Sequence, residues 1–338
     1  MSEHLLEVTN LGVQFATYGG EVKAVRGVDF YVDKGETLAI VGESGCGKSV
    51  TVQSLMGLIP MPPGKITSGS ATLNGKEILG LPPKQANRFR GVEIGMIFQD
   101  PMTSLNPTMT IGDQISETLM VHRGFSYREA FTRSIELLER TRIPEASRRA
   151  KQYPFEFSGG MLQRAMIAQS LACNPAILIA DEPTTALDVT IQAQILELMA
   201  ELQRTEEMSI ILITHDLAVV ARMADRVAVM YAGQIVETGT VDEIFYESAH
   251  PYTVGLKEAM PSNRVSRDKA LMPILGSPPD LFSPPKGCGY YARCPHAMKV
   301  CKHNLPPSFP ISDTEHVARC WLQHEDAPKS DHITQAGR

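Results

Sequence analysis

The eight residues Gly42-Glu43-Ser44-Gly45-Cys46-Gly47-Lys48-Ser49 constrain this chain more than any other stretch. They follow the wholly apolar run Thr37–Val41 and precede Val50-Thr51-Val52, so the local order is strand, glycine-rich loop, helix. Glycines at 42, 45 and 47 let backbone N–H groups turn inward, and the helix N-terminus behind them adds its dipole. A loop of this kind cradles the phosphates of a nucleotide. Lys48 is then the side chain that reaches the β- and γ-phosphate oxygens, and Ser49 the hydroxyl that ligates Mg²⁺. Ser44 and Val50 belong to the same phosphate-binding segment. A chance glycine-rich loop would carry neither the flanking strand nor the full spacing.

The rest of the chain agrees with an α/β class. Ile177–Ala180 and Ile210–Thr214 are short apolar runs that alternate with helical stretches, as buried parallel strands do. Ile191, Ile195, Leu198 and Leu202 recur at helical spacing, and residues 110–150 carry the same period with many charges. Nearer the N-terminus, Leu5–Phe15 and Val25–Val32 read as β segments, and Asn74-Gly75 is a preferred hairpin turn. The expectation is a P-loop core with a largely parallel sheet, an antiparallel β subdomain and a helical subdomain at about 100–160. A net charge of −6 advertises no nucleic-acid face. No apolar run approaches the roughly 20 residues of a spanning helix, and Met-Ser-Glu-His opens no signal peptide. The chain is therefore expected to stay in the cytosol, reaching any membrane process by docking onto other subunits.

Asp181 and Glu182 end the second apolar run, where ligands gather in open α/β sheets. Asp181 suits Mg²⁺ held through water, and Glu182 suits polarising an attacking water. Alone, such a pair reads equally well as an exposed loop; the phosphate loop upstream decides for chemistry. Between the two motifs, Ser158-Gly159-Gly160 precedes a helix expected over Met161–Cys173. Small residues at a helix N-terminus make a second anion site. Since the chain has its own phosphate loop, that second site suggests another molecule's nucleotide.

These three motifs in this order resemble the ATP-binding-cassette ATPases. The resemblance implies further roles. Gln99, in Ile97-Phe98-Gln99-Asp100-Pro101, matches a loop that senses Mg²⁺ and the attacking water. His215, in Ile213-Thr214-His215-Asp216, matches a switch histidine on the γ-phosphate, and Asp188 a loop crossing to the partner. Phe15 lies where the family stacks adenine, with Tyr18 its competitor. Two cassettes would pack head to tail, each Ser-Gly-Gly closing on the partner's ATP. Here the signature reads Phe157-Ser158-Gly159-Gly160-Met161, with methionine where the family's common form has glutamine.

Residues 97–107, Asp181–Val189 and His250-Pro251-Tyr252-Thr253 are similar to the bacterial oligopeptide/dipeptide importer ATPases, a likeness spanning nearly the whole chain. It implies an ATP-hydrolysing subunit, peripheral at the cytoplasmic face of the inner membrane, that powers peptide import. Its implied partners are a homologous second ATPase subunit (this chain resembling the first of the two), two transmembrane permease subunits and an extracytoplasmic peptide-binding protein. Related cassettes serve nickel or glutathione. Soluble cassettes of translation or DNA repair are the alternative; they tend to carry tandem cassettes or a coiled-coil insertion, and this sequence has neither.

Cys288-x5-Cys294-x6-Cys301-x18-Cys320 crowds four thiols beyond a proline-rich stretch. Disulfides are disfavoured in the cytosol, so a metal site is the default. The spacing is looser than the usual zinc pairs, and Pro295 directly after Cys294 suits a [4Fe–4S] cluster, with zinc as the alternative. The resemblance implies the cluster too. A structural staple and a redox sensor both remain open. The expected division is a cassette at 1–250, a Pro-rich connector at 251–287, a four-cysteine module at 288–325 and a disordered tail at 326–338.

Overall fold

The computed structural model describes residues 4–185, 187–259, 273–330 and 333–334. Parts of the expected connector (260–272) and tail (331–332, 335–338), and Ala186 of the aspartate loop, lie outside the described residues. The chain divides into two compact units: Met1–Tyr31, Leu38–Gly80 and Thr214–Arg338 form one, Val32–Thr37 and Leu81–Ile213 the other.

In the first unit an antiparallel sheet runs in the order Gly20–Val32, Leu6–Thr17, Gly64–Leu73, Lys76–Glu77. The last two strands join through Asn74 (φ 48°) and Gly75 (φ 72°), the turn the dipeptide favours because both residues tolerate positive φ. The wholly buried strand Thr37–Val41 lies parallel to Arg226–Tyr231, with Leu38 opposite Arg226 and Val41 opposite Val229. Arg226–Tyr231 then turns back antiparallel into Gln234–Thr240. Sequence reading missed this hairpin: its turn is Ala232-Gly233, without the Asn or Asp that usually flags one.

The C-terminal segment adds to the same unit. Val317–Ala318 pairs with Gln234–Thr240, and Phe309–Pro310 pairs with Val317–Ala318. Beneath them Glu237 accepts from the backbone N–H groups of Ala249 and His250 at 2.7 and 2.9 Å, and its Oε1 is 2.9 Å from His316 Nε2. Between the helical and cysteine-bearing stretches, residues 273–287 form no helix or strand, though Lys23 N–H donates to Leu281 O at 2.9 Å. Of the expected tail, Ile333 is buried and Thr334 N–H donates to Ser248 O at 3.0 Å.

The second unit holds three parallel buried strands, Ile94–Ile97, Ile177–Asp181 and Ser209–Thr214, each continuous in hydrophobic character because both faces are covered. Its helical part packs Ile111–Arg123, Tyr127–Arg140 and Gly159–Ser170 around Ile115, Leu119, Leu137, Leu138 and Leu162. Ser126 and Glu129 close a capping box on the middle helix. The helix expected at Met161–Cys173 runs instead over Gly159–Ser170. Ser158 caps it two residues earlier, and Asn174, left-handed at φ 50° before Pro175, belongs to the exit turn. Among the described residues no helix is long and apolar enough to cross a membrane.

One buried group makes the first unit sensitive to acid. The His250 ring caps the helix Pro251–Glu258, its Nδ1 accepting the Tyr252 N–H at 3.0 Å, while Nε2 has no partner. Burial holds its pKa down at about 4, against the pull of Glu237. The unfolded chain therefore takes up a proton near pH 6.5 that the folded one refuses, so stability falls as pH drops from 6.5 toward 4. From this group alone the loss is expected to reach about 2 kcal/mol by pH 5. Urea unfolding at pH 7 and pH 5, compared with His250→Asn, isolates it: the variant's pH dependence should be smaller by that amount.

Candidate nucleotide site

The phosphate loop belongs to the first unit, and its glycines are required by close packing. A Cβ on Gly42 would sit 2.1 Å from Met230 O, and one on Gly47 2.5 Å from Ala24 O. Gly47 also takes φ 106° as the residue before the helix Lys48–Leu55. Only glycine meets both demands. Lys48 is buried, and its ammonium donates to Gly42 O at 2.8 Å and Glu43 O at 3.1 Å, which holds the charge inside the loop. Ser49 and Val50 are half-buried in the first helical turn, and Ser44 and Gly45 form the exposed rim. In the same unit His215 is exposed just past its strand, and Asp216 caps the helix Leu217–Met223 through Ala218 N–H at 2.8 Å.

The carboxylates and signature residues belong to the second unit. Asp181 ends its strand at 4% exposure. Glu182 follows at φ 48°, a left-handed conformation that a non-glycine residue adopts at some cost. Its N–H still reaches Ile213 O at 2.9 Å, so the ladder continues while the side chain is swung out. The carboxylate Oε2 accepts from Gln99 Nε2 at 3.1 Å and from Thr185 Oγ1 at 3.0 Å. The structure thus brings Gln99 and Glu182 together and adds Thr185, which sequence reading missed; its only signal was its position three residues after Glu182. A carboxylate oriented by two donors is suited to receive a proton from water.

Ser158 and Asp188 are both helix caps in this unit. Ser158 accepts from Met161 N–H at 3.4 Å, and Asp188 from Thr190 and Ile191 N–H at 3.1 and 3.0 Å. Ser158 and Gly159 are exposed. A Cβ on Gly160 would sit 2.8 Å from Ile191 Cγ2, so the signature helix and the aspartate-capped helix meet where only glycine fits. The two aromatic candidates differ. Phe15 is half-buried on its strand opposite Gly64, whereas Tyr18 is fully exposed in the following turn.

Cys288, Cys294, Cys301 and Cys320 are free thiols, and the Cys288 N–H donates to Cys301 O at 2.8 Å. Burial pushes Cys294 up to about 12 and Cys320 higher, and each is raised further by the neighbouring thiols. Cys301 and Cys320 are buried and Cys288 and Cys294 half-buried; thiolates so placed would need a compensating cation. Among the described residues no group of three or more His, Cys, Asp or Glu is arranged to hold a single metal ion.

Comparison with known proteins agrees with the motifs. The ABC transporter family description matches residues 25–185, and "Oligopeptide/dipeptide transporter, C-terminal region" matches residues 236–301. The chain is 60% identical over 325 residues to the oligopeptide transport ATP-binding protein OppD of Bacillus subtilis, covering 96% of this chain and 90% of that one. The chain belongs to the ABC transporter ATP-binding proteins, in their oligopeptide/dipeptide branch. This ABC ATPase is also 54% identical over 336 residues to the dipeptide transport ATP-binding protein DppD of the same organism, covering 99% and 98% of the two chains. Among solved structures, the dimeric post-hydrolysis state of an ATP-binding cassette bound to ADP and Pi shares 27% identity at a TM-score of 0.63, covering 70% of this chain and 98% of that one. The cassette fold and ATP·Mg²⁺ chemistry follow from the family, and Ser49, Gln99 and Asp181 offer the hard oxygen donors that Mg²⁺ takes.

Proposed function

We propose that this ABC ATPase powers peptide import across the bacterial cytoplasmic membrane, peripheral at its inner face. The support is the near full-length likeness to peptide-transport ATPases, including the region from 236 to 301 that generic cassettes need not carry. Its partners are two transmembrane permease subunits, an extracytoplasmic peptide-binding protein and a homologous second ATPase. With that second ATPase it forms a head-to-tail pair, as the exposed Ser158-Gly159 helix start and the dimeric cassette relative suggest. Uptake of a labelled oligopeptide is expected to fall to background in cells lacking this chain and to return when it is supplied. Unchanged uptake, with nickel or glutathione uptake lost instead, would reassign the cargo.

In the catalytic cycle, Gly42, Gly45 and Gly47 present main-chain donors to the phosphates while Lys48 neutralises the β- and γ-oxygens. Ser49, Gln99 and Asp181 would hold Mg²⁺, which when bound would offset charge on the phosphoryl oxygens. Glu182, oriented by Gln99 and Thr185, takes the proton of the attacking water. His215 contacts the γ-phosphate; Ser158, Gly159, Gly160 and Asp188 serve the partner's nucleotide. For adenine, exposure favours Tyr18 over Phe15, since stacking needs an open ring face.

The thiols of Cys288, Cys294, Cys301 and Cys320 form the ligand set of a [4Fe–4S] cluster within a small C-terminal module at 288–325. The cassette proper occupies 1–250, and 251–287 connects the two. Bound there, the cluster would supply a cation that lets four buried or half-buried thiols ionise, and would cross-link a segment with little core of its own. Anaerobically purified protein is expected to carry about four irons and four acid-labile sulfides per chain, both lost in Cys294→Ser. Zinc in place of iron would overturn the cluster assignment.

A further inference from the structure

Glu43 fills the first unconstrained position of the phosphate loop, directly after Gly42. Its carboxylate adds negative charge to a segment built to gather phosphate oxygens, and like charges at close range weaken binding. The structure offers a counter-charge from far along the chain. Arg293 sits in the short turn Tyr291–Arg293, directly before Cys294. Its guanidinium meets the Glu43 carboxylate end-on: Nη1 donates to Oε2 at 2.7 Å and Nη2 to Oε1 at 2.9 Å. This two-pronged geometry is the strongest an arginine and a carboxylate can make.

Every remaining donor of Arg293 is also engaged. Nε donates to Leu275 O at 3.0 Å, Nη2 to Ile274 O at 3.2 Å and Nη1 to Tyr231 Oη at 3.2 Å. The side chain is only 6% exposed. Its guanidinium is held above its ordinary range, chiefly by the hydrogen bonds to Glu43. The Glu43 main chain is fixed as well. Its N–H donates to Tyr252 Oη at 2.9 Å, and its carbonyl accepts from Lys48 Nζ at 3.1 Å. Tyr252, Tyr231 and Tyr290 pack tilted and edge-to-face into one aromatic cluster, with ring centroids 4.5–5.4 Å apart. A chain of contacts therefore runs from Arg293 through Glu43 to the lysine that meets the nucleotide.

We propose that Arg293 is a positioning residue for the phosphate loop: its pair with Glu43 cancels the loop's own carboxylate and fixes the backbone from which Lys48 reaches ATP. The C-terminal segment thereby sets how tightly the loop takes the triphosphate. This rests on the assignment of Gly42–Ser49 to the ATP phosphates. A purely structural Arg293, stapling the segment down for stability alone, would leave nucleotide affinity indifferent to the charge of Glu43.

The test is equilibrium binding of a fluorescent ATP analogue to the full chain. Arg293→Ala is expected to weaken binding roughly tenfold, because it leaves Glu43 uncompensated beside the phosphates. The double variant Glu43→Gln, Arg293→Ala is expected to recover to within about threefold of the unaltered protein, since the offending charge is gone. Arg293→Lys, which keeps the charge and loses the second prong, should fall between them and serves if Arg293→Ala does not fold. Binding by Arg293→Ala equal to the unaltered protein, or a double variant as weak as the single one, would overturn the proposal. Lys48→Ala is run alongside. Should it bind ATP normally, the phosphate-loop assignment itself fails; should it lose ATP while Arg293→Ala does not, only the positioning role fails.

Discussion

Glu182→Gln is expected to hold ATP and scarcely hydrolyse it. Turnover should fall by roughly a hundred- to ten-thousand-fold, the range in which a positioned base contributes, with ATP affinity within about threefold of the unaltered protein. The geometry makes the substitution clean. A glutamine carbonyl at 182 can still accept from Gln99 Nε2 and Thr185 Oγ1, now 3.1 and 3.0 Å from the carboxylate, so the loop need not move. What disappears is the capacity to take a proton from water. Phosphate release measured in a single turnover, with nucleotide binding measured on the same sample, separates the two effects. Rapid release would remove Glu182 from proton transfer and return attention to His215. Peptide uptake should vanish with hydrolysis, because binding alone cannot reset the transporter.

Lys48→Ala acts on the other half of the chemistry. Its ammonium is buried and already pinned to Gly42 O and Glu43 O at 2.8 and 3.1 Å, so a nucleotide meets a preformed charge. Removing it deletes charge-assisted contacts to the phosphates and leaves two loop carbonyls without their donor. Affinity is expected to drop by roughly a hundredfold or more. Equilibrium dialysis with ATP gives the answer, and a drop below about threefold would contradict the role of Lys48. The two variants should therefore divide cleanly: Glu182→Gln keeps the nucleotide and loses the reaction, whereas Lys48→Ala loses both.

What could be read from sequence was what local chemistry dictates. The phosphate loop announced itself because close backbone approach at Gly42 and Gly47 excludes every other residue. The buried strands Ile177–Asp181 and Ser209–Thr214 were visible because a strand covered on both faces needs an unbroken apolar run. Helix starts were less legible: the helix expected from Met161 begins at Gly159, because Ser158 caps it two residues earlier. Contacts that depend on distant residues were not legible. Nothing near Glu43 in sequence indicates Arg293, 250 residues away, and nothing near Glu237 indicates His316. The positive φ of Glu182 was equally hidden, since it is a cost imposed by the fold and not a preference of glutamate. Tyr18 and Phe15 could not be ranked without knowing which ring faces solvent.

The two short strands near residues 309–318 have a consequence for anyone who would trim this protein. They cover the outer rim of Gln234–Thr240, where Val317 and Ala318 take up main-chain groups opposite Thr238 and Glu237. A chain ended before them would present an open β edge able to recruit a neighbour's strand. It would also strand the Glu237 carboxylate in the interior without the imidazole of His316. A shortened cassette would thus be a self-associating particle rather than a smaller engine. Phe309–Pro310 and Val317–Ala318 thus protect a sheet edge as well as extend the sheet.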